Sequence, residues 1–359
     1  MLVQLYGQFG GENSNAIVSR GIACALHRAN IDVQIYDPVG VYNGLWEDLP
    51  TGLTPSAEVG IAVGYPPETV QFLMGHGVKV GCFIAESSVI PHDWGAIAAA
   101  CDIVAVPSAW CAAAFVAAGV SPRQLLVMPH GLNPVYSRAC HQAFPGTNKM
   151  IFLHVAAAPA FRERKGTIQL IEAFGELAGD TACNVSLMLR CGSTDPDLVE
   201  AIRRTGHDEC FLITEDGPLQ PAAMREFYCQ GYVALVLPSR AEAYGLCALE
   251  ARSLGLPVIL THAAGHAAHA EAWDTVIRSW PDAPCRVNGI PGGLAPQVLA
   301  GDVYTALREF IAHAKSRWDW AQHGSSGYYD RNTWEKATRV LVAKLKGYRK
   351  RPSRPGIGL

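Results

Sequence analysis

SRAEAYGLCALEARSLGLPVI, residues 239–259, places two carboxylates eight positions apart on either side of a glycine. The run VALVLPSR (233–240) ahead of it reads as a buried strand that stops at Pro238, and Pro257–Thr261 reads as the next strand. Between them Glu242 falls in a loop, Gly245 or Leu246 opens a helix, and Gly255 ends that helix after about Leu254. On one unbroken helix, eight residues would turn the two carboxylates about 80° apart. With a loop between them, Glu242 and Glu250 can instead reach different ends of one ligand. The amides of Gly245, Leu246 and Cys247 would then face an anion lying between them.

Working outward, short β-branched runs alternate with helical stretches along the whole chain, the pattern of parallel sheets with crossover helices. The first series of predicted strands is Leu2–Tyr6, Asp32–Tyr36, Ile61–Gly64, Lys79–Ile84, Asp102–Val106 and Leu125–Met128. The second is Met150–Val155, Val185–Arg190, Cys210–Ile213, Val233–Leu237 and Pro257–Thr261. A helix follows the first strand from about Asn15 to Ala29, with Asn13 or Ser14 as its N-cap. The segment 129–149 carries Pro, Gly and Asn without periodicity and reads as a linker. The expected division is an α/β fold of two Rossmann-like, doubly wound domains facing a cleft. They would span 1–135 and 149–330, with a linker at 136–148, a returning C-terminal helix at 331–347 and a basic tail at 348–359. Ligands in such sheets sit beyond the carboxyl ends of the strands.

Bulk composition narrows the function classes. The chain has 359 residues, 49% of them hydrophobic and 17% charged, and a net charge of −3. That balance excludes a disordered chain and offers no global basic footprint for nucleic acid or membrane. The exception is the C-terminal run KLKGYRKRPSRPGIGL (344–359), whose clustered cations read first as a disordered, solubilising tail and second as a contact that favours an anionic acceptor or a membrane surface. Eleven cysteines without a CxxC pair predict reduced thiols rather than a disulfide framework or zinc site. The opening MLVQLYGQFGG lacks a basic segment followed by a hydrophobic one, so no signal peptide is predicted, and the alanine-rich region 95–120 is interrupted by Asp102 and Pro107, so it reads as helix, strand and helix. The expectation is a cytoplasmic protein, peripheral to a membrane at most, monomeric or homodimeric.

Three further motifs fall at strand ends. YGQFGGENSN (6–15) ends the first strand with Gly10 and Gly11, a tight turn that is a poor match to a dinucleotide fingerprint, while Asp37 closes the second strand. FLHVAAAPAFRERKG (152–166) runs from a strand into a loop carrying Arg162, Arg164 and Lys165, cations placed to neutralise a diphosphate leaving group. Asp195-Pro196-Asp197 has the D-x-D form that can hold a divalent ion, but Asp195 with Pro196 behind it reads as a helix cap. No metal site is predicted.

In combination, residues 238–266, the RKG at 164–166, DIVAVPSAW (102–110), VMPHGLN (127–133) and Gly10-Gly11 resemble the retaining glycosyltransferases of the GT-B fold, family 4, with its E-x7-E region. The order and spacing agree over roughly residues 1–270. The helix carrying Trp334 is similar to the family's C-terminal helix. The resemblance implies a nucleoside diphosphate sugar donor, UDP- or GDP-linked, and no cofactor. It implies that Glu250 takes the ribose hydroxyls and Glu242 those of the donor sugar, with Tyr244, Gly245 and Leu246 lining the sugar and phosphates. Arg164 and Lys165, or Arg162 in place of the first, would stabilise the departing diphosphate, with Gly10 and Gly11 approaching from the opposite domain.

Two positions depart from the family pattern. Ala243 stands where glycine is common, and CFIAESSVIPHDW (82–94) has Glu86 where many members carry a histidine near the reacting carbon. Glu86 is therefore a candidate acceptor-side group, with His92 six residues on, and His130 and His266 occupy other strand-end loops. The acceptor is open: glycan, glycolipid, small molecule or modified nucleic acid. Alternatives to a transferase are a donor-binding subunit without catalysis, another nucleotide-sugar enzyme such as an epimerase, and a nicotinamide-dependent oxidoreductase, which the poor glycine fingerprint disfavours.

Overall fold

The computed structural model describes residues 1–38, 49–140, 143–146, 149–155, 161–181, 184–217, 219–287 and 290–348. Most of the 38–60 loop's aromatic stretch and the basic tail beyond Tyr348 thus lie outside the described residues.

Two six-stranded parallel sheets organise the chain. The first has the order β2-β1-β3-β4-β5-β6, with β1 Leu2–Tyr6, β2 Asp32–Tyr36, β3 Val59–Gly64, β4 Val78–Phe83, β5 Ile103–Val106 and β6 Leu125–Val127. The second has the order β12-β11-β10-β7-β8-β9, with β7 Met150–Val155, β8 Val185–Arg190, β9 Phe211–Thr214, β10 Ala234–Leu237, β11 Val258–Thr261 and β12 Thr275–Ile277. β1, β2, β7 and β8 coincide with the sequence expectation, because each is a run of apolar residues bounded by turn formers. β12 is a strand that the short, Trp- and Asp-flanked TVI did not announce.

Each sheet reverses its strand order beside its first strand, so the crossovers leave a crevice at the carboxyl ends. The helix Ser14–Arg28 follows β1, and the Asn13 side chain accepts from the Ala16 amide at its start. The closing helix Trp334–Tyr348 packs against it, burying Trp334, Leu341 and Leu345 in the first domain's core with Val3, Ile22 and Leu26. The chain therefore returns to the domain in which it began. The segment 95–120 folds as the end of the helix His92–Ala99, β5 and the helix Ala109–Ala117. Among the described residues no helix is long and apolar enough to cross a membrane.

Two features differ from the sequence expectation. An antiparallel hairpin, β13 Trp280–Pro284 and β14 Leu294–Gln297, projects from the second domain to the first. There the Leu294 carbonyl accepts from the Ser88 amide at 2.9 Å, and the Ser87 hydroxyl accepts from the Leu294 amide at 3.0 Å. The Arg240 guanidinium holds the hairpin through the carbonyls of Pro296 at 3.1 Å and Pro284 at 2.8 Å. Its residues alternate poorly and carry Pro at three positions, which hides them from a strand reading. Secondly, Cys140 and Cys229 are paired, with Cα atoms 5.9 Å apart, inside the range of a disulfide. This corrects the expectation of uniformly reduced thiols: the two lie 89 residues apart and only the fold brings them together.

Candidate functional site

The crevice between the two sheets holds a cavity of about 460 Å³ lined by the carboxyl ends of strands from both. Its second-domain wall is built from two loops locked together. The turn Arg162–Lys165 follows β7, and its Arg164 carbonyl accepts from the Arg240 and Ala241 amides at 2.7 and 3.2 Å in the loop after β10. Gly166 ends that turn at φ +66°, and a side chain there would meet the Pro238 carbonyl oxygen at 2.2 Å. Close backbone approach therefore explains the glycine of RKG.

The carboxylates and cations converge. Glu242 pairs with Lys165 Nζ and lies 3.4 Å from Arg164 Nη1. The Arg164 Nη2 reaches across the crevice to Glu86 Oε1 at 3.0 Å. Tyr65 donates its hydroxyl to the other oxygen of Glu86 at 3.3 Å. All four charged side chains line the cavity and are almost wholly buried. Burial works against ionising Glu242, yet the Lys165 and Arg164 charges outweigh it and hold the carboxyl at about 2. For Glu86 burial prevails over Arg164, and its carboxyl is pushed up.

Gly245 stands at φ +103° and begins the helix Leu246–Ser253, which no side chain caps. A Cβ at Gly245 would fall 2.5 Å from the His266 ring. The first amides of this helix thus open into the cavity beside Lys165, since Gly245, Leu246 and Cys247 all line it. The Gly265 amide holds the loop from below through the Glu242 carbonyl at 2.8 Å. From above, Ser108 at the start of the Ala109–Ala117 helix donates to the Ala243 carbonyl at 2.9 Å. Ala243 does not lie at positive φ, so its backbone conformation does not demand glycine.

Glu250 lies on the same helix, buried in the cavity wall. The Tyr228 hydroxyl donates to its Oε2 at 3.0 Å, and Tyr136 is a second hydrogen-bond partner. Burial raises its carboxyl to about 7 despite both tyrosines. Tyr244 packs edge-on between His130 and His269, with ring centroids 5.2 and 4.7 Å away. Burial lowers both His130 and His266, which line the cavity, to about 4, so each is a neutral imidazole near pH 7.

Other residues singled out in the sequence stand apart from this cluster. Arg162 is not in the cavity wall; it pairs with Asp195 and donates to the Ser193 carbonyl at 3.0 Å. Asp195 accepts from the Leu198 amide at 2.9 Å and caps the helix Pro196–Thr205, as its spacing predicts. Among the described residues no cluster of three His, Cys, Asp or Glu has the arrangement of a metal site. His92 begins a helix and does not line the cavity. Gly10 and Gly11 neighbour the cavity rather than line it. The Gly10 and Phe9 amides donate to Asp37 at 3.0 and 2.7 Å.

Sequence reasoning missed Tyr136, Tyr228 and Glu12. The tyrosines sit at the end of a helix and in a 3-10 turn, Pro134–Ser137, with no local pattern to mark them. Glu12, directly after the glycine pair, carried a signal: an acid ahead of a helix start at a strand end.

This architecture is the GT-B fold: two Rossmann-like domains, a crevice between them and a C-terminal helix returning to the first. Residues 149–279 match the family described as Glycosyl transferases group 1. A stretch of 139 residues is 30% identical to D-inositol 3-phosphate glycosyltransferase of Acidothermus cellulolyticus. That stretch spans 38% of this chain and 30% of that relative's length. Among solved structures, sucrose-phosphate synthase from Thermosynechococcus elongatus superposes with a TM-score of 0.72 at 15% identity, over 97% of this chain and 99% of the other. HepE of Anabaena, solved in complex with UDP-glucose, superposes at 0.70 with 14% identity, over 97% of this chain and all of the other.

Proposed function

We propose that the protein is a glycosyltransferase that moves a sugar from a nucleoside diphosphate donor to an acceptor, with retention of anomeric configuration and without a metal ion. The observation that carries this reading is the cluster of Arg164, Lys165 and Glu242 at the open N-terminus of the helix Leu246–Ser253. Two cations and a set of helix amides at one point suit a leaving diphosphate, whose charge grows as the glycosidic bond breaks. Glu242 would take sugar hydroxyls, having a carboxylate held ionised at any physiological pH. Glu250 would take the ribose hydroxyls, with Tyr136 and Tyr228 fixing its orientation. Tyr244, Gly245 and Leu246 would line the sugar and phosphates, while Gly10 and Gly11 would leave room for close approach from the first domain.

The match over residues 149–279 supports the transferase class, and the UDP-glucose bound to the structural neighbour supports a UDP-linked donor. Arg162 belongs to the Asp195 cap in this reading, which leaves the diphosphate to Arg164 and Lys165. Domain closure over the donor would exclude water and limit hydrolysis. The test is a thermal-shift screen of UDP- and GDP-sugars on the purified chain, followed by turnover of the stabilising donor. Stabilisation by a UDP-sugar and an α-linked product from an α-linked donor are expected. No response to any donor would sink the assignment, and donor binding without turnover or hydrolysis would favour a non-catalytic binding subunit.

A further inference from the structure

Glu250 takes hydrogen bonds from two tyrosines that come from distant parts of the chain. Tyr136 lies in the 3-10 turn Pro134–Ser137, on the segment that joins the two domains. Tyr228 is the last residue of the helix Pro221–Tyr228, and its hydroxyl lies 3.0 Å from Glu250 Oε2. The disulfide joins these same two segments: Cys229 directly follows Tyr228, and Cys140 comes shortly after the turn of Tyr136. The Cys140 amide also donates to the Leu254 carbonyl at 2.9 Å, just beyond the helix Leu246–Ser253 that carries Glu250. The three elements that meet at this carboxylate are thus tied together at one place.

Both tyrosines are buried in one apolar cluster with Leu249 and Leu254, so packing keeps their rings near Glu250. Packing tolerates small slides, whereas a hydrogen bond to a carboxylate weakens steeply outside a narrow range of distance and angle. The segment around the turn is otherwise held loosely to the neighbouring helix. Ser137 and Arg138 are exposed, and the bond from Arg225 Nη2 to the Arg138 carbonyl is long, at 3.4 Å. A covalent link that fixes the Cα atoms of Cys140 and Cys229 at 5.9 Å removes that slide.

We infer that Cys140 and Cys229 are positioning residues for the nucleotide: their disulfide keeps Tyr136 and Tyr228 on Glu250, so the oxidised protein binds the nucleotide more tightly than the reduced protein. This rests on the reading of Glu250 as the carboxylate that takes the ribose hydroxyls. Both cysteines are half-buried, within reach of a small soluble disulfide such as oxidised glutathione. One protein thiolate attacks that disulfide, forming a mixed disulfide and releasing one glutathione thiol. The second protein thiolate then attacks the protein sulfur of the mixed disulfide and expels the other glutathione. Two protein thiols are oxidised, one glutathione disulfide is reduced to two thiols, and the two protons pass to the departing thiolates.

Calorimetric titration of the full chain with UDP and with GDP tests the inference, on protein treated with oxidised glutathione and on protein reduced by dithiothreitol. The oxidised parent is expected to bind its nucleotide about tenfold more tightly than the reduced parent. The double variant Cys140→Ser with Cys229→Ser should bind like the reduced parent under both treatments, although it keeps the other nine cysteines. The double variant Tyr136→Phe with Tyr228→Phe keeps the disulfide and the rings but lacks the hydroxyls. It too should bind weakly and ignore the redox treatment, which a cross-link that merely stiffened the fold would not produce. Equal affinity of the oxidised and reduced parent overturns the inference, and that comparison needs no substitution. A redox effect that survives in either double variant also overturns it, because other thiols or other contacts would then carry the effect. Binding of neither nucleotide in either redox form would instead overturn the donor reading on which the inference rests.

Discussion

Glu86 of the first domain and Arg164 of the second form a 3.0 Å ion pair across the crevice, and both side chains are buried. Arg164 therefore belongs to two systems at once, the domain interface through Glu86 and the proposed diphosphate site through Glu242. Removing it should damage both. Arg164→Met is expected to lower stability by about 3 kcal/mol, because two buried carboxylates lose a partner, and to reduce turnover. Lys165→Met, which leaves the interface intact, should reduce turnover about a hundredfold with a smaller change in Tm. Denaturation curves beside kcat measurements separate the two effects; equal Tm losses would contradict the division.

If Glu250 holds the donor ribose as proposed, donor binding should depend on pH. Its carboxyl, raised by burial to about 7, must ionise before it can accept two ribose hydroxyls. Donor affinity should therefore rise between pH 6 and pH 8, and binding at pH 7 should release a proton, measurable by calorimetry in buffers of different ionisation enthalpy. Glu250→Gln should weaken binding and flatten the profile.

The same carboxyl affects stability with a definite sign. An acid whose folded pKa lies above its ordinary 4.5 is held in its protonated form by folding, so stability declines as pH rises from about 4.5 to about 7. The decline for this group is about 3 kcal/mol. Glu250→Gln should accordingly raise Tm relative to the parent at pH 8 and leave it nearly unchanged at pH 5.

Gly245 and Ala243 should respond unequally to exchange. Gly245→Ala forces a Cβ onto the His266 ring at φ +103°, and a loss of about 2 kcal/mol or more is expected. Ala243→Gly meets no such conflict: it keeps the carbonyl that accepts from Ser108 and Cys111, removes one buried methyl and frees the backbone, and should cost about 0.5–1 kcal/mol. Thermal melts of the two variants would show the ordering.

Cys140 and Cys229 should protect each other from thiol reagents. The chain has eleven cysteines, so the unfolded, unreduced protein should present nine thiols once these two are paired. Eleven reactive thiols would show that the pair is reduced. Cys229→Ser should lower the stability of the oxidised protein by about 4.6 kcal/mol, the chain-entropy value for closing a loop of 89 residues.

Much of this architecture is written locally. Strands such as Leu2–Tyr6 and Val185–Arg190 declare themselves by apolar runs, and Asn13, Gly255 and Pro196 mark helix ends through chemistry that acts within a few residues. The company of E-x7-E, RKG and the glycine pair was legible for the same reason: each lies at a strand end whose position local pattern predicts. Arg162 shows the limit, because spacing alone cannot tell whether an arginine faces the crevice or a neighbouring cap such as Asp195.

What the sequence by itself determined is the alternation of strands and helices, and hence the two sheets and the crevice where charged side chains must gather. The tertiary structure decided which of those side chains meet: Glu86 with Arg164, Glu250 with Tyr136 and Tyr228, Glu12 with Arg20, and Cys140 with Cys229. The physical reason is range. Propensity and capping are energies of neighbouring residues, whereas burial, ion pairing and the pKa changes they bring arise only when distant segments exclude water together.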